Sequence, residues 1–374
     1  MFDFNLKNYG FLQLIVCVAL NIAGLVFVQS SVGERIYSFM SQLGISIASL
    51  IICLLISFLN LKKVMPRYYW FFAISVFALL LVRITGTAYG RNSIRWIRIP
   101  FVNMEIQPSE FAKLFLILFS AKYMEKLDIQ INQFGNLFKL FLFYFVPFLL
   151  IFIQPNLSSS LIFTSIFVAM LFASKLKFRW FAIFGGIFAV LFILVYSSVK
   201  FGFIDNMPFH RDYQKNRIES FFIPTEKNEA QYQQENSVIA IGSGKVTGKG
   251  INNDSPNSVK NGNWLAEAQN DFIFAVVGEE VGFVGSVIII LLYVFLIISC
   301  IVIASKQREY YKNLICIGVA TWIAVQTFIN IGVATSLIPN TGVPLPFFSQ
   351  GGSSLLSVYM GVGFVLNIRR ETRI

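Results

Sequence analysis

Apolar residues gather along this chain in ten long blocks, at roughly 11–29, 43–59, 69–84, 108–123, 137–153, 157–173, 180–199, 284–304, 313–338 and 347–368. About 20 apolar residues in a helix cross a bilayer core of about 30 Å. The pattern therefore predicts an all-α polytopic membrane protein with ten transmembrane helices, both termini on one side. No small-residue cleavage site follows the first block, so it is expected to remain a span.

The polar stretches between blocks are short, with one exception. Lys200–Asn270 forms a polar segment of about 70 residues between spans 7 and 8, too long for a mere connection. The next segment is also oversized. Asp271–Ala304 would make a single helix of roughly 50 Å at 1.5 Å per residue, longer than the hydrocarbon needs. Gly278, Gly282 and Gly285 offer a break, predicting a short interfacial helix at about 271–281 ahead of the true span. The expected organisation is one membrane domain, 1–374, with an extracytoplasmic loop at 200–283 that contains this helix.

Composition agrees with a membrane protein: 56% of 374 residues are hydrophobic, 13% are charged, and 41 are Phe. Soluble domains carry about 25% charge. The net charge of +11 then points to cytoplasmic loops and anionic membrane lipids, with no nucleic acid partner. One set of connections and termini holds sixteen Lys and Arg, and the short connections of the other side hold five, which places both termini in the cytoplasm. Cys17, Cys53, Cys300 and Cys316 all fall in apolar blocks without metal-ligand spacing, and His210 is the sole histidine. Neither a disulfide framework nor a protein-built metal site is expected.

Candidate chemistry collects on the outer side. Arg91, Arg95 and Arg98 with Trp96 crowd the short connection 84–107, and guanidinium forks match phosphate oxygens. They can hold a lipid diphosphate, or form an interfacial belt on ordinary headgroups. Glu110 and Lys113 share a helix face, either as an ion pair that fixes the helix or as part of a site. The run "GSGKVTGKG" at 242–250 lacks Walker A spacing; it reads as a Gly-rich turn closing over substrate. "LAEAQNDFIFAVVGEEVGFVG" at 265–285 places four carboxylates at the membrane edge. Asp271 among them is either a general base or a helix N-cap. "NTGVPLPFFSQGGSSLLS" at 340–357, rich in Pro and Gly, suggests a re-entrant segment lining a site or a rigid turn. "QPNLSSS" at 154–160 marks another outer turn.

Five of these signatures occur in order: Arg95–Trp96 with "QPSEFAK" at 107–113, "QPNLSSS", "AIGSG…GKG" at 240–250, "NDFIFAVVGEEVGFVG" at 270–285, and the run 340–357. Together they resemble the SEDS family (shape, elongation, division and sporulation) of RodA, FtsW and SpoVE type. The resemblance implies a peptidoglycan glycosyltransferase of cell wall biogenesis. It would polymerise lipid II at the outer face of the bacterial cytoplasmic membrane beside a class B penicillin-binding protein. It implies Asp271 as the essential aspartate and carries substrate roles to Arg95, Trp96, Glu110 and Lys113; Lys249 and Ser349 are counted with them as substrate-binding. The family's lead-in motif departs here at Ala266, Gln269 and Asn270, and its second acidic position is Asn156, which bears on loop geometry and subgroup. With no histidine nearby, proton removal falls to a carboxylate, and Arg95, Lys113, Lys249 or a divalent cation (Mg2+ or Mn2+) could hold the departing diphosphate. A lipid II flippase is the rival; it would place charged groups along a path through the midplane, whereas these gather at one face.

Overall fold

In this computed structural model the described residues are 9–32, 36–86, 95–99, 104–154, 156–183, 229–253 and 268–372, with a few isolated positions between. Ten helices organise them: α1 Phe11–Val32, α2 Ile36–Ser57, α3 Tyr68–Thr85, α4 Pro108–Leu127, α5 Phe134–Ile153, α6 Leu157–Phe172, α7 Glu229–Ser243, α8 Ile273–Ser305, α9 Tyr310–Ala334 and α10 Gly352–Glu371. Nine of the expected blocks fall on these helices; the block 180–199 lies largely outside the described residues, as does Arg91. Among the described residues six helical stretches are long and apolar enough to cross a membrane: Phe11–Ser31, Phe39–Ser57, Leu61–Thr85, Phe134–Ile153, Ile273–Ser305 and Tyr310–Ala334.

The helices sort by what faces lipid. α1, α2, α3, α5 and α8 turn rows of large apolar side chains outward, such as Ile15 and Ile22, Ile47 and Ile51, Phe77, Phe138 and Ile298. α4 and α10 are too polar to qualify as apolar spans, and they are enclosed by the others: nearly every residue from Ser353 to Arg370 is buried, as is most of Pro108–Leu127. Polar groups inside a bundle are tolerated when neighbouring helices satisfy them. Asn367 of α10 shows how, donating to the carbonyls of Ile56 and Leu59 at 2.9 and 2.6 Å. α10 lies so close to α2 that a Cβ at Gly363 would stand 2.8 Å from the Cys53 carbonyl, so a small residue is needed there.

Two further elements stand beside the membrane-length helices of this mostly helical fold. Ile97–Ile99 (β1) and Met104–Ile106 (β2) pair as an antiparallel hairpin, with Arg98 opposite Glu105. Within the polar segment, α7 packs on α8 and α9. Gln234 donates to the carbonyls of Val333 and Ile338 at 3.1 and 2.7 Å, and Ser237 to that of Ala334 at 2.7 Å.

The break in the long helix falls at Gly282, whose φ of 64° and ψ of −161° interrupt α8. The N-terminal portion, Ile273–Glu280, is buried along its whole length. It packs against α7, and its apolar side chains join the hydrophobic core.

Candidate active site

The break in α8 leaves two carbonyls and two amides without their helical partners, and the Gly-rich run supplies replacements. The carbonyls of Glu279 and Glu280 accept from the amides of Lys249 and Gly250 at 2.9 and 3.0 Å. The amides of Phe283 and Val284 donate to the carbonyls of Lys245 and Val246 at 2.9 and 3.1 Å. In an unbroken helix these two carbonyls and two amides would have bonded each other. Such contact requires glycine: a Cβ at Gly244 would lie 1.9 Å from the Gly278 carbonyl oxygen, and one at Gly248 2.1 Å from that of Glu280. Lys249 completes the clasp, its Nζ 2.7 Å from Oε1 of the buried Glu279. Ser30 of α1 donates to Glu280. The loop thus mounts the N-terminal part of α8, and Lys249 stands on Glu279.

Asp271 heads this mounted segment, two residues before α8 begins. It is partly exposed. Its carboxylate lies against Gly342, where a Cβ would come within 3.2 Å of Oδ2. Asn330 of α9 donates one amide group to two carbonyls, that of Asp271 at 2.9 Å and that of Val343 at 2.7 Å. The base candidate and the loop ahead of α10 are therefore gripped by the same side chain.

One turn earlier in α9, Gln326 repeats the arrangement. Its Nε2 donates to the Pro344 carbonyl at 2.9 Å and to Ser354 Oγ at 3.1 Å. Its Oε1 accepts from Lys113 Nζ at 3.2 Å and from Trp322 Nε1 at 2.7 Å. Lys113 is fully buried, 2.7 Å from Glu110 Oε1 and 5.1 Å above the Trp322 ring. Its ammonium is taken up by these partners, so it acts on the site through Gln326. Glu110 Oε2 is buried without a hydrogen-bond partner.

The turn 154–158 ties in the arginine. Arg95 Nε donates to the Gln154 carbonyl at 3.2 Å, and Gln154 Nε2 to the Leu79 carbonyl at 3.0 Å. Asn156 caps α6 by accepting from the Ser159 amide at 3.2 Å, and its Nδ2 reaches Ser109, beside Glu110, at 3.4 Å. Ser158 donates to the carbonyl of Thr341, next to Gly342. Contacts thus run from Arg95 through this turn to the loop against which Asp271 rests. Trp96 is partly buried just ahead of β1. Ser349 lies inside, accepting from the Leu345 amide at 2.8 Å and, through its carbonyl, from Gln42 at 3.3 Å; it shapes the final loop.

Sequence reasoning passed over Trp322, Gln326 and Asn330, although an amide pair four residues apart in an apolar span was their signal. Among the described residues no three acidic, His or Cys side chains gather to ligate a metal.

The FtsW/RodA/SpoVE family model, described as cell cycle protein, matches residues 9–374. A probable peptidoglycan glycosyltransferase FtsW of Lactococcus lactis subsp. lactis is 34% identical over 89% of this chain and 84% of its own. Stage V sporulation protein E of Bacillus subtilis is 36% identical over 80% of this chain and 78% of its own. Among solved structures, a chain from work on structural coordination of polymerization and crosslinking by a peptidoglycan synthase complex superposes with a TM-score of 0.78. It is 25% identical and the match covers 98% of this chain and 99% of that one.

Proposed function

The chain belongs to the FtsW/RodA/SpoVE family and is a multi-pass peptidoglycan glycosyltransferase of the bacterial cytoplasmic membrane; from that premise we propose that Asp271 is the general base of lipid II polymerisation. Asp271 takes the proton from the sugar 4-hydroxyl of an acceptor lipid II. The oxygen attacks the anomeric carbon of the donor chain with inversion, and undecaprenyl diphosphate departs. One base and stabilisation of the leaving charge suffice for such a transfer. Arg95 and Trp96, beside the site, receive the diphosphate and its headgroup, while Lys113 and Glu110 hold Gln326 and so the loop over Asp271.

The observation that carries this reading is the mounting of Asp271. Its carboxylate is lodged against Gly342, and its backbone is held by Asn330 at the meeting point of the loops, instead of facing lipid. The reading is completed by ten spans with both termini cytoplasmic and by an extracytoplasmic loop between spans 7 and 8. A class B penicillin-binding protein acts as partner. The Lys and Arg bias supports the orientation, and the likeness to a chain of a peptidoglycan synthase complex supports the partner.

The test is polymerisation of labelled lipid II by the purified full chain with its transpeptidase partner. Asp271→Asn keeps the size of the side chain and is expected to abolish polymer, with partner binding and thermal stability unchanged. Normal polymer length and rate from that variant would remove Asp271 from the chemistry.

A further inference from the structure

A groove far from Asp271 runs along the C-terminal portion of α8 to the C-terminal end of α10, with a volume of about 500 Å3. Its wall is made of carbon side chains, among them Leu291, Ile298 and Val302, and its end is formed by Lys306, Arg369 and Thr372. Leu291 to Lys306 spans roughly 22 Å of helix at 1.5 Å per residue. That equals one leaflet with its headgroup layer, half of the roughly 40–45 Å total thickness. An apolar trough of that length ending in two cations has the dimensions of a single bilayer phospholipid.

The cations are available for an anion. Neither Lys306 nor Arg369 has a carboxylate partner among the described residues: Glu371 and Glu309 close by are both held by Lys312, at 2.8 and 2.9 Å. Arg369 is aimed by Gln13 of α1, which accepts from its Nη1 at 3.4 Å and donates to Ser299 Oγ in the groove at 2.7 Å. Gln307 donates to Thr372 Oγ1 at 2.7 Å. Polar contacts among α1, α8 and α10 thus hold the mouth of the groove in shape.

We propose that this groove is a binding site for one anionic phospholipid of the cytoplasmic leaflet, an acyl chain along α8 and the headgroup phosphate between Lys306 and Arg369. The leaflet rests on the orientation proposed above; the site itself does not. A phosphate group near the membrane surface gains from each Lys or Arg beside it, and the trough takes the chain that a free anion lacks. Occupancy would staple α1, α8 and α10 together at the end opposite Asp271, so lipid composition would set the stability of the bundle.

Native mass spectrometry of the purified full chain, offered equal phosphatidylglycerol and phosphatidylcholine, reads the proposal directly. One phosphatidylglycerol is expected to be retained preferentially, and Lys306→Gln with Arg369→Gln is expected to weaken that retention roughly 10- to 30-fold. Ile298→Trp, which fills the trough and leaves both charges, should lower it as well. A photocrosslinker at position 298 in native membranes should capture a diacyl phospholipid mass. Equal retention of the two lipids, or a crosslink to a polypeptide in place of lipid, overturns the proposal.

Discussion

Gly248→Ala tests whether the Gly-rich run serves as a clasp for α8. Gly248 has φ of +82°, where an L side chain costs roughly 1–2 kcal/mol. Its added Cβ would lie 2.1 Å from the Glu280 carbonyl oxygen and 2.6 Å from the Val281 Cα. Backbone surrounds it, so the loop has to withdraw by about 1 Å to reach ordinary contact. That movement breaks or stretches the four bonds linking 245, 246, 249 and 250 to 283, 284, 279 and 280. At about 1 kcal/mol each, they bring the expected loss to about 5 kcal/mol. Two neighbouring glycines are internal controls. Gly250, with φ of +98° and open space around it, should lose only roughly 1–2 kcal/mol on change to Ala. Gly242 lies in α7 with nothing near its Cβ position, and Ala there should stabilise by up to about 1 kcal/mol. Thermal unfolding in detergent ranks the three. Polymerisation should fall with Gly248→Ala by more than tenfold, because Asp271 heads the segment that comes loose and displacement of about 1 Å in a reacting group can cost about 100-fold. If Gly248→Ala and Gly250→Ala are alike in both measurements, the clasp is not what mounts α8.

Other expectations follow from the same contacts. Lys113→Met leaves Glu110 buried without its counter-charge and should destabilise by about 3–5 kcal/mol; adding Glu110→Gln should recover most of it, which a double-mutant cycle of unfolding midpoints reads. Gly342→Ala adds a Cβ at φ +69° and 3.2 Å from Asp271 Oδ2; stability should drop by roughly 1–2 kcal/mol while turnover drops far more. Lys249→Met should lower thermal stability through Glu279, with the KM for lipid II unchanged. A raised KM at full stability would return Lys249 to the substrate.

The helices of the bundle were readable because burial in lipid demands long apolar blocks, and block length alone fixes where a helix can lie. The interruption of α8 was readable too, since Gly282 stands where the helix would outgrow the bilayer. α7 was not. Its residues Glu229–Ser243 are mostly polar, and what makes them helical is contact with the last turn of α9 through Gln234 and Ser237, which no local pattern announces. Asp271 stood out through the signature it opens, whereas Asn330 and Gln326 look like incidental amides until the loop they hold is folded onto them. Lys249 shows the converse: a glycine-flanked lysine suggests an anion, and only the tertiary fold brings Glu279 to it. The β1–β2 hairpin lay hidden because its strands are three residues each.

The order of the clasp and the helix along the chain has a bearing on biogenesis. Residues 244–250 leave the ribosome before Ile273–Ser305, and in the proposed orientation they are already across the bilayer when that segment enters it. The interrupted span therefore finds substitutes for its missing backbone partners on arrival, and never has to rest in hydrocarbon with four polar groups bare. Exchanging the two segments by circular permutation would reverse that sequence and should slow insertion even if the finished protein were the same.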